Sequence, residues 1–334
     1  MSTLLASSEP LHTAYDAALV DLDGVTFRGP DVVEGAPRAL TAARDAGMSL
    51  VYVTNNSSRA SRDVVTLLTD FGIPATADGV FTSAQAAAAI LADRFSAGSR
   101  VLVVGGAGLR DAVEAAGMTV VESAIDRPDA VVQGWSADVG WRQLAEASYA
   151  ARAGAYFLAT NLDLTLPNER GYAPGNGALV RVVATASGVE PDSAGKPEPS
   201  MYVRAAKRVG AKRPLVVGDR LDTDLGGARA AGFPGLLVLT GVSQAVDALR
   251  AAPGVRPSFL GESIAALGDA HPAPVLRDGW WRVAESAARI AGGTLEFAGA
   301  RGIDRLRAGC AAAWAAADDG EATHIEEGVD GGIW

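Results

Sequence analysis

The sequence predicts an α/β protein: a doubly wound parallel-sheet core, an α/β cap inserted into it, and a small C-terminal appendage. Three observations predict this. Short apolar runs recur along the chain, each closed by a turn-forming or acidic residue; helical patterns stopped by glycine lie between them; and 334 residues exceed what one hydrophobic core usually serves. Ala17 to Val20 runs into Asp21, Leu50 to Val53 into Thr54, Leu215 to Val217 into Gly218-Asp219, and Leu236 to Leu239 into Thr240-Gly241. Runs this continuous suit strands buried on both faces, as in a parallel sheet. Between them, Pro37 to Ala46 carries a helical pattern stopped by Gly47, and Asp224 to Ala231 one stopped by Gly232. The alternation is that of a Rossmann-like domain.

The middle of the chain repeats the pattern. Val101–Val104, Thr119–Val121, Ala130–Val132 and Tyr156–Ala159 are further strand candidates, with a helix expected over Trp141–Ala153. The expected division is therefore core over 1–83, inserted cap over 84–194, core again over 195–270 and appendage over 271–334. In the appendage, His271–Arg277 is punctuated by proline and looks like a linker. Trp280–Val283 and Thr294–Phe297 are candidate short strands, and Ile303–Ala317 is a candidate helix. The stretch from Ala317 through Glu326-Glu327 to Gly332 is expected to be flexible.

Composition narrows the function classes. Hydrophobic residues at 49% and charged residues at 20% are globular values, so wholesale disorder is not expected. A net charge of -10 without a basic run argues against nucleic-acid binding. No stretch supplies the roughly 18 to 20 apolar residues of a membrane span, and no signal peptide is evident, so a cytoplasmic location is expected. The single cysteine, Cys310, lies in an Ala-rich helical stretch and is expected to be a buried apolar residue. His12, His271 and His324 are expected at the surface.

Chemistry is concentrated at four places, all at or beside candidate strand ends: Asp21-Leu22-Asp23-Gly24-Val25, Thr54-Asn55-Asn56, Gly195-Lys196-Pro197, and Gly218-Asp219 followed by Asp222 and Asp224. In a parallel α/β sheet such positions share the carboxyl edge, where these folds take ligands. Phosphoryl transfer requires an in-line nucleophile, neutralisation of the non-bridging oxygens and a proton for the leaving group. Asp21 suits the carboxylate nucleophile, and Asp23, released from the strand by Gly24, suits the general acid and then the base. Asp21, Asp219 and the Asp23 backbone carbonyl are a donor set for Mg²⁺, with Asp224 orienting water or Lys196. The Thr54 hydroxyl and the amide after it suit a phosphate oxygen, and Lys196, one of only three lysines, supplies a cation.

The stretches DLDGVTFRG at 21–29, VYVTNNSSR at 51–59, GKPEP at 195–199 and VGDRLDTDLGGARAAG at 217–232 resemble the haloacid dehalogenase superfamily, in its NagD or p-nitrophenyl phosphatase-like branch. The resemblance spans about residues 15–268 and includes a cap between the second and third motifs. It implies a hydrolase core in which Asp21 is the nucleophile and Asp23 the acid/base. It further implies phosphate binding by Thr54, Asn55 and Lys196, and magnesium at Asp21, Asp23 and Asp219. Similarity to the actinobacterial glycerol 3-phosphate phosphatases of that branch implies glycerol 3-phosphate as the small phosphorylated metabolite, with phosphoglycolate and pyridoxal phosphate as alternatives. It also implies that cap-mediated association into a homo-oligomer is open to the chain.

Three competing assignments remain. Val101 to Gly108 looks like a dinucleotide loop, but Asp111 stands at the third glycine position, where a carboxylate repels pyrophosphate; a plain strand-turn-helix is expected. Thr160-Asn161-Leu162-Asp163 resembles the cap stretch that nears the active site, so Asn161 and Asp163 are candidate substrate contacts, or else members of an Asx-type turn. A phosphoacceptor signalling module also groups aspartates, a Thr and a Lys; the Asp21-x-Asp23 placement and the large insertion oppose it.

Overall fold

The computed structural model describes residues 4–168, 170–321, 323–325 and 333–334. The chain forms two compact units, one of Met1–Leu50, Phe71–Pro74 and Val209–Trp334, the other of Val51–Asp70 and Ala75–Arg208. This division cuts the chain differently from the sequence-based boundaries, because the second unit takes in 51–70, 75–83 and 195–208 as well as 84–194.

In the first unit, strands Phe259–Gly261, Gly235–Val238, Pro214–Gly218 and Ala17–Val20 lie side by side in that order, all parallel. Their register is pinned at the start. The Asp16 carboxylate accepts the Lys212 and Arg213 amides at 3.0 and 2.9 Å, and the Ser49 amide donates to the Asp16 carbonyl at 2.9 Å. Val20 is thereby set opposite Val217, and the Asp21 amide donates to the Val217 carbonyl. Asp21 and Asp219 leave neighbouring strands at the same edge.

The second unit holds its own five-stranded parallel sheet, ordered Asp192–Ser193, Tyr156–Ala159, Ala130–Gln133, Arg100–Val104, Thr119–Val121. Helices Trp141–Arg152 and Asn176–Ser187 bury Leu144, Ala147, Val180 and Val183 against Leu102, Val131 and Phe157 on one face. The same unit contains the parallel pair of Tyr52–Thr54 with Val80–Thr82. Helix Ser83–Arg94 comes next, started by a reciprocal cap between Thr82 and Gln85.

The appendage belongs to the first unit and is more ordered than its sequence suggests. Val275–Arg277, Trp280–Val283, Ser286–Ala291 and Thr294–Gly299 form an antiparallel meander, and helix Ile303–Asp318 packs on it through Ala308 and Ala312. The strands at 280 and 294 and the helix at 303 agree with expectation. Two expectations are corrected. His271–Arg277 is not a linker: its last residues are an edge strand, and His271 is buried at 2% exposure, not at the surface. The Ser286–Ala291 strand escapes the sequence reading because its alanines carry no β signal. The turns do carry one: Asp278-Gly279 and Gly292-Gly293 join paired strands with positive φ at 51°, 76°, 57° and 79°, the two-residue turn that favours hairpins. Cys310 is buried as expected, and its thiol pKa is raised by desolvation. Of the tail expected to be flexible, Ala317 and Asp318 complete the helix and Ile325 is buried among Leu249, Trp314 and Ile333; residues 326–332 lie outside the described residues. Among the described residues no helix is long and apolar enough to cross a membrane.

Candidate active site

In the first unit, carboxylate oxygens of Asp21, Asp219 and Asp224 lie within 4.8 Å of one another, and all three side chains are buried. Local chain geometry builds this group. Gly24 has φ +82°, and a Cβ there would fall 2.5 Å from Asp219 Oδ2; one on Gly241 would fall 1.9 Å from the same atom. Only glycine lets both turns close on the Asp219 carboxylate. The Val242 amide donates to Asp219 Oδ2 at 2.7 Å, and the Thr240 hydroxyl ties the two turns by donating to the Gly24 carbonyl at 2.6 Å. Asp224 arrives on a widened helical turn, Leu221–Leu225, in which the Leu225 amide reaches back to the Arg220 carbonyl. Its carboxylate accepts the Arg220 amide at 3.1 Å and sits under Gly218, where a Cβ would come within 2.5 Å of it.

Asp224, assigned by sequence to an outer layer, therefore has its carboxylate within the same 4.8 Å of Asp21 as Asp219 does. Asp23, by contrast, is exposed, and its backbone bridges to Phe27. Asp222 turns out to Arg220, with oxygens 2.8 and 3.0 Å from the guanidinium, and that hydrogen bond holds its carboxyl below the usual range.

The donor chemistry fits a small divalent cation. Three buried carboxylates crowded this closely repel one another unless a cation is shared, and magnesium takes oxygen donors of this kind.

In the second unit, Asn55 is the hub. Its carboxamide straddles the Lys196 backbone: Nδ2 donates to the carbonyl at 3.2 Å, and Oδ1 accepts the amide at 2.8 Å. The same Nδ2 donates to Asp163 Oδ2 at 3.0 Å. The Asn55 carbonyl accepts from Asn161 Nδ2 at 2.8 Å and from the Ser83 hydroxyl at 2.7 Å. The structure thus gathers Asn55, Asn161, Asp163 and Lys196, and both ends of the Asn55 carboxamide are bonded to protein. Thr54 is buried, and its hydroxyl accepts the Asn56 amide at 3.1 Å. The Asp163 amide donates to Asn161 Oδ1 at 3.2 Å, so the Asx turn is present in the 160–163 stretch. Lys196 is 5% exposed, and its peptide to Pro197 is cis.

Comparison with known proteins places this geometry. Residues 18–119 match the family described as haloacid dehalogenase-like hydrolase, and residues 193–267 match a second family, described as HAD-hydrolase-like. A D-glycerol 3-phosphate phosphatase of Mycobacterium tuberculosis is 47% identical over 253 residues, 76% of this chain and 71% of that protein. The chain belongs to the haloacid dehalogenase-like hydrolases. An acid sugar phosphatase of Staphylococcus aureus is 37% identical over 259 residues, covering 76% of this chain and 98% of that one. Among solved structures, glycerol phosphate phosphatase from M. tuberculosis in complex with magnesium superposes with TM-score 0.85 at 42% identity, covering 93% of each chain. A thermostable NPPase from Geobacillus stearothermophilus gives TM-score 0.69 at 32% identity, covering 75% of this chain and 97% of that one.

Within this haloacid dehalogenase-like hydrolase, sequence reasoning finds the charged residues, and it notes Gly24, Thr240-Gly241 and Thr160 at turns without seeing what they hold. Gly24, Gly241, Thr240 and Val242 shape the Asp219 pocket, and Ser57, Ser83, Thr160 and Asn176 support the Asn55 hub. A signal for part of this is in the chain: glycine stands just past two apolar runs, at Gly105-Gly106 and Gly134. The would-be dinucleotide loop is a strand-turn-helix, as expected, and its glycines are there for protein packing: a Cβ on Gly106 or Gly108 would meet Ser58 at 3.2 Å or Arg59 at 2.6 Å.

Proposed function

We propose that the chain is a magnesium-dependent phosphomonoester hydrolase that converts glycerol 3-phosphate to glycerol and phosphate. The observation that carries this reading is the buried group Asp21, Asp219 and Asp224 in a haloacid dehalogenase-like hydrolase. The substrate rests on 47% identity to an enzyme named for it.

In this reading an Asp21 carboxylate oxygen attacks phosphorus in line with the ester oxygen. The phosphorus–oxygen ester bond breaks, and the leaving alkoxide takes a proton from the Asp23 carboxyl, leaving a phosphate joined to Asp21 as a mixed anhydride. Asp23, now a carboxylate, removes a proton from a water whose oxygen attacks that phosphorus, which frees phosphate and restores both carboxyl groups. The exposed position of the Asp23 side chain suits a group that must reach leaving groups and then solvent. Lys196 and the Thr54 hydroxyl bind the non-bridging oxygens. Asp21, Asp219 and the Asp23 carbonyl, with the Asp224 carboxylate beside them, would hold magnesium, which when bound offsets the negative charge of carboxylates and phosphate. Asn161 and Asp163 present the cap's polar edge to the glycerol end. The substrate is a cytoplasmic metabolite.

The test is kcat/KM across small phosphomonoesters with magnesium present. Glycerol 3-phosphate should lead, phosphoglycolate or pyridoxal phosphate in first place would reassign the substrate, and a stable phosphoprotein without turnover would replace the hydrolase with a phosphoacceptor switch.

A further inference from the structure

The carboxyl edge of the five-stranded sheet in the second unit is where an α/β sheet ordinarily takes a ligand. Here residues 55–59, the segment just after Thr54, cross that edge and meet the strands in their spatial order. At the Asp192–Ser193 strand, Asn55 Oδ1 lies 2.6 Å from where a Cβ on Gly195 would be. At the Tyr156–Ala159 strand, the Thr160 hydroxyl donates to Ser57 Oγ at 3.1 Å, and Asn161 donates to the Asn55 carbonyl. At the Ala130–Gln133 strand, a Cβ on Gly134 would fall 2.5 Å from Ser57 Oγ and 3.1 Å from Thr160 Oγ1. At the Arg100–Val104 strand, Ser58 lies against Gly106 and accepts the Gly108 amide at 3.3 Å, and the Arg59 carbonyl lies against Gly108. The neighbouring strand ends thus have side chains removed, or a hydroxyl supplied, where this one segment passes. Asn56 stiffens the segment by accepting the Ser58 and Arg59 amides at 2.9 and 3.3 Å.

We propose that this sheet edge is a cradle built for the 55–59 segment, and that Gly134 and Thr160 are positioning residues for the phosphate-binding groups. They touch no phosphate. They fix Ser57, and through the short chain from Ser57 to Thr54 they fix the Thr54 hydroxyl and the Asn55 carboxamide that grips Lys196. The cap sheet then does more than cover a substrate: it holds the anion-binding part of the site as one body with itself. This rests on the phosphatase reading for its kinetic consequences, while the docking stands on geometry alone.

The experiment is a rescue. Gly134→Ala, which needs no unusual φ, should lower kcat/KM for glycerol 3-phosphate by about tenfold or more and raise the inhibition constant of inorganic phosphate, since a contact this close, 2.5 Å, displaces Ser57 Oγ, the atom through which Thr160 holds the segment. Adding Ser57→Ala removes the oxygen it collides with and should return both quantities to within about threefold of Ser57→Ala alone, the additivity failure expected of touching sites. Hydrogen exchange in peptides over 55–59 should speed up in Gly134→Ala and recover in the double variant, with the strands unchanged. If Gly134→Ala does not fold, Thr160→Val and Thr160→Ser stand in: the first should raise the phosphate inhibition constant and speed exchange over 55–59, and the second should restore both. Wild-type kinetics and exchange in Gly134→Ala, or a loss that Ser57→Ala leaves in place, overturns the proposal. A wild-type enzyme that hydrolyses no phosphomonoester overturns the phosphatase reading instead, and the exchange arm still decides the docking.

Discussion

Among the described residues the molecule carries two parallel sheets, and their carboxyl edges have been put to opposite uses. The edge of the first unit is acidic: Asp21 and Asp219 leave adjacent strands and Asp224 joins them beneath Gly218. The edge of the second unit is instead filled by residues 55–59 of its own chain. The same topology offers a crevice in both cases. What distinguishes them is whether side chains leave ionisable oxygens converging, or glycines admit backbone.

The strongest way to break that contrast is at the charged edge. Asp21→Asn removes the proposed nucleophile while keeping its shape, and turnover should fall by about a thousandfold or more; near-normal turnover of an aryl phosphate would remove Asp21 from the mechanism. Next comes Gly241→Ala. Its Cβ would stand 1.9 Å from Asp219 Oδ2 and must displace the carboxylate. Magnesium activation should weaken about 10- to 100-fold, the usual cost of disturbing the support of a metal ligand, with activity recovered at high magnesium. An unchanged magnesium dependence would show that Asp219 does not hold the ion.

At the filled edge, Asn55→Ala deletes the grip on Lys196 and the bond to Asp163 together. Buried groups left without partners cost about 1–3 kcal/mol, so kcat/KM should drop roughly tenfold to a hundredfold. Much of the drop should lie in KM, and Asp163→Asn should do less. If the two variants lose equally, Asp163 rather than Lys196 is what Asn55 serves.

The smallest effect lies away from both edges. Buried His271 accepts from Arg307 at Nδ1, 3.0 Å, and its Nε2 is 3.0 Å from the Ala266 carbonyl. Desolvation first, aided by the Arg307 charge and opposed by the Ala266 bond and by Asp269 and Asp304, holds its pKa below 6.5. A depressed value means that the unfolded chain binds the proton more readily. The contribution to stability is therefore full above pH 6.5 and is lost as pH falls through the lower folded value. Melting temperature should fall more steeply from about pH 7.5 to about pH 5.5 in the wild type than in His271→Gln, with turnover at neutral pH alike in both. Parallel melting curves would remove His271 from the acid response.

Much of this contrast is legible in the chain. Apolar runs ending in Asp or in Gly-Asp announce both the strands and the residues at their tips, because a parallel strand buried on both faces leaves no other signature. Hence Ala17–Val20 and Leu215–Val217 can be found with Asp21 and Asp219 at their ends. The intimacy of Asp224 with them is not legible, since it depends on a helical turn opening by one residue at Leu221–Leu225. Nor is the double duty of Asn55, whose partners Asp163 and Lys196 are distant in sequence. Glycine is ambiguous by nature: Gly134 looks like any turn residue until Ser57 is seen against it. The buried His271 escapes notice because its partner Arg307 sits on a helix that carries no motif.

The pairing of Ala17 with Pro214 has a consequence for synthesis. When Ala17, Ala18, Leu19 and Val20 leave the ribosome, the strand that closes this side of them does not yet exist, and the whole second unit is translated in between. Throughout that interval the nascent chain carries an apolar ladder edge waiting for its partner. Such an edge is a hazard for pairing with the wrong strand. Asp21 sits at its tip, so the acidic site is assembled late in translation, after the cradle for residues 55–59 has been made.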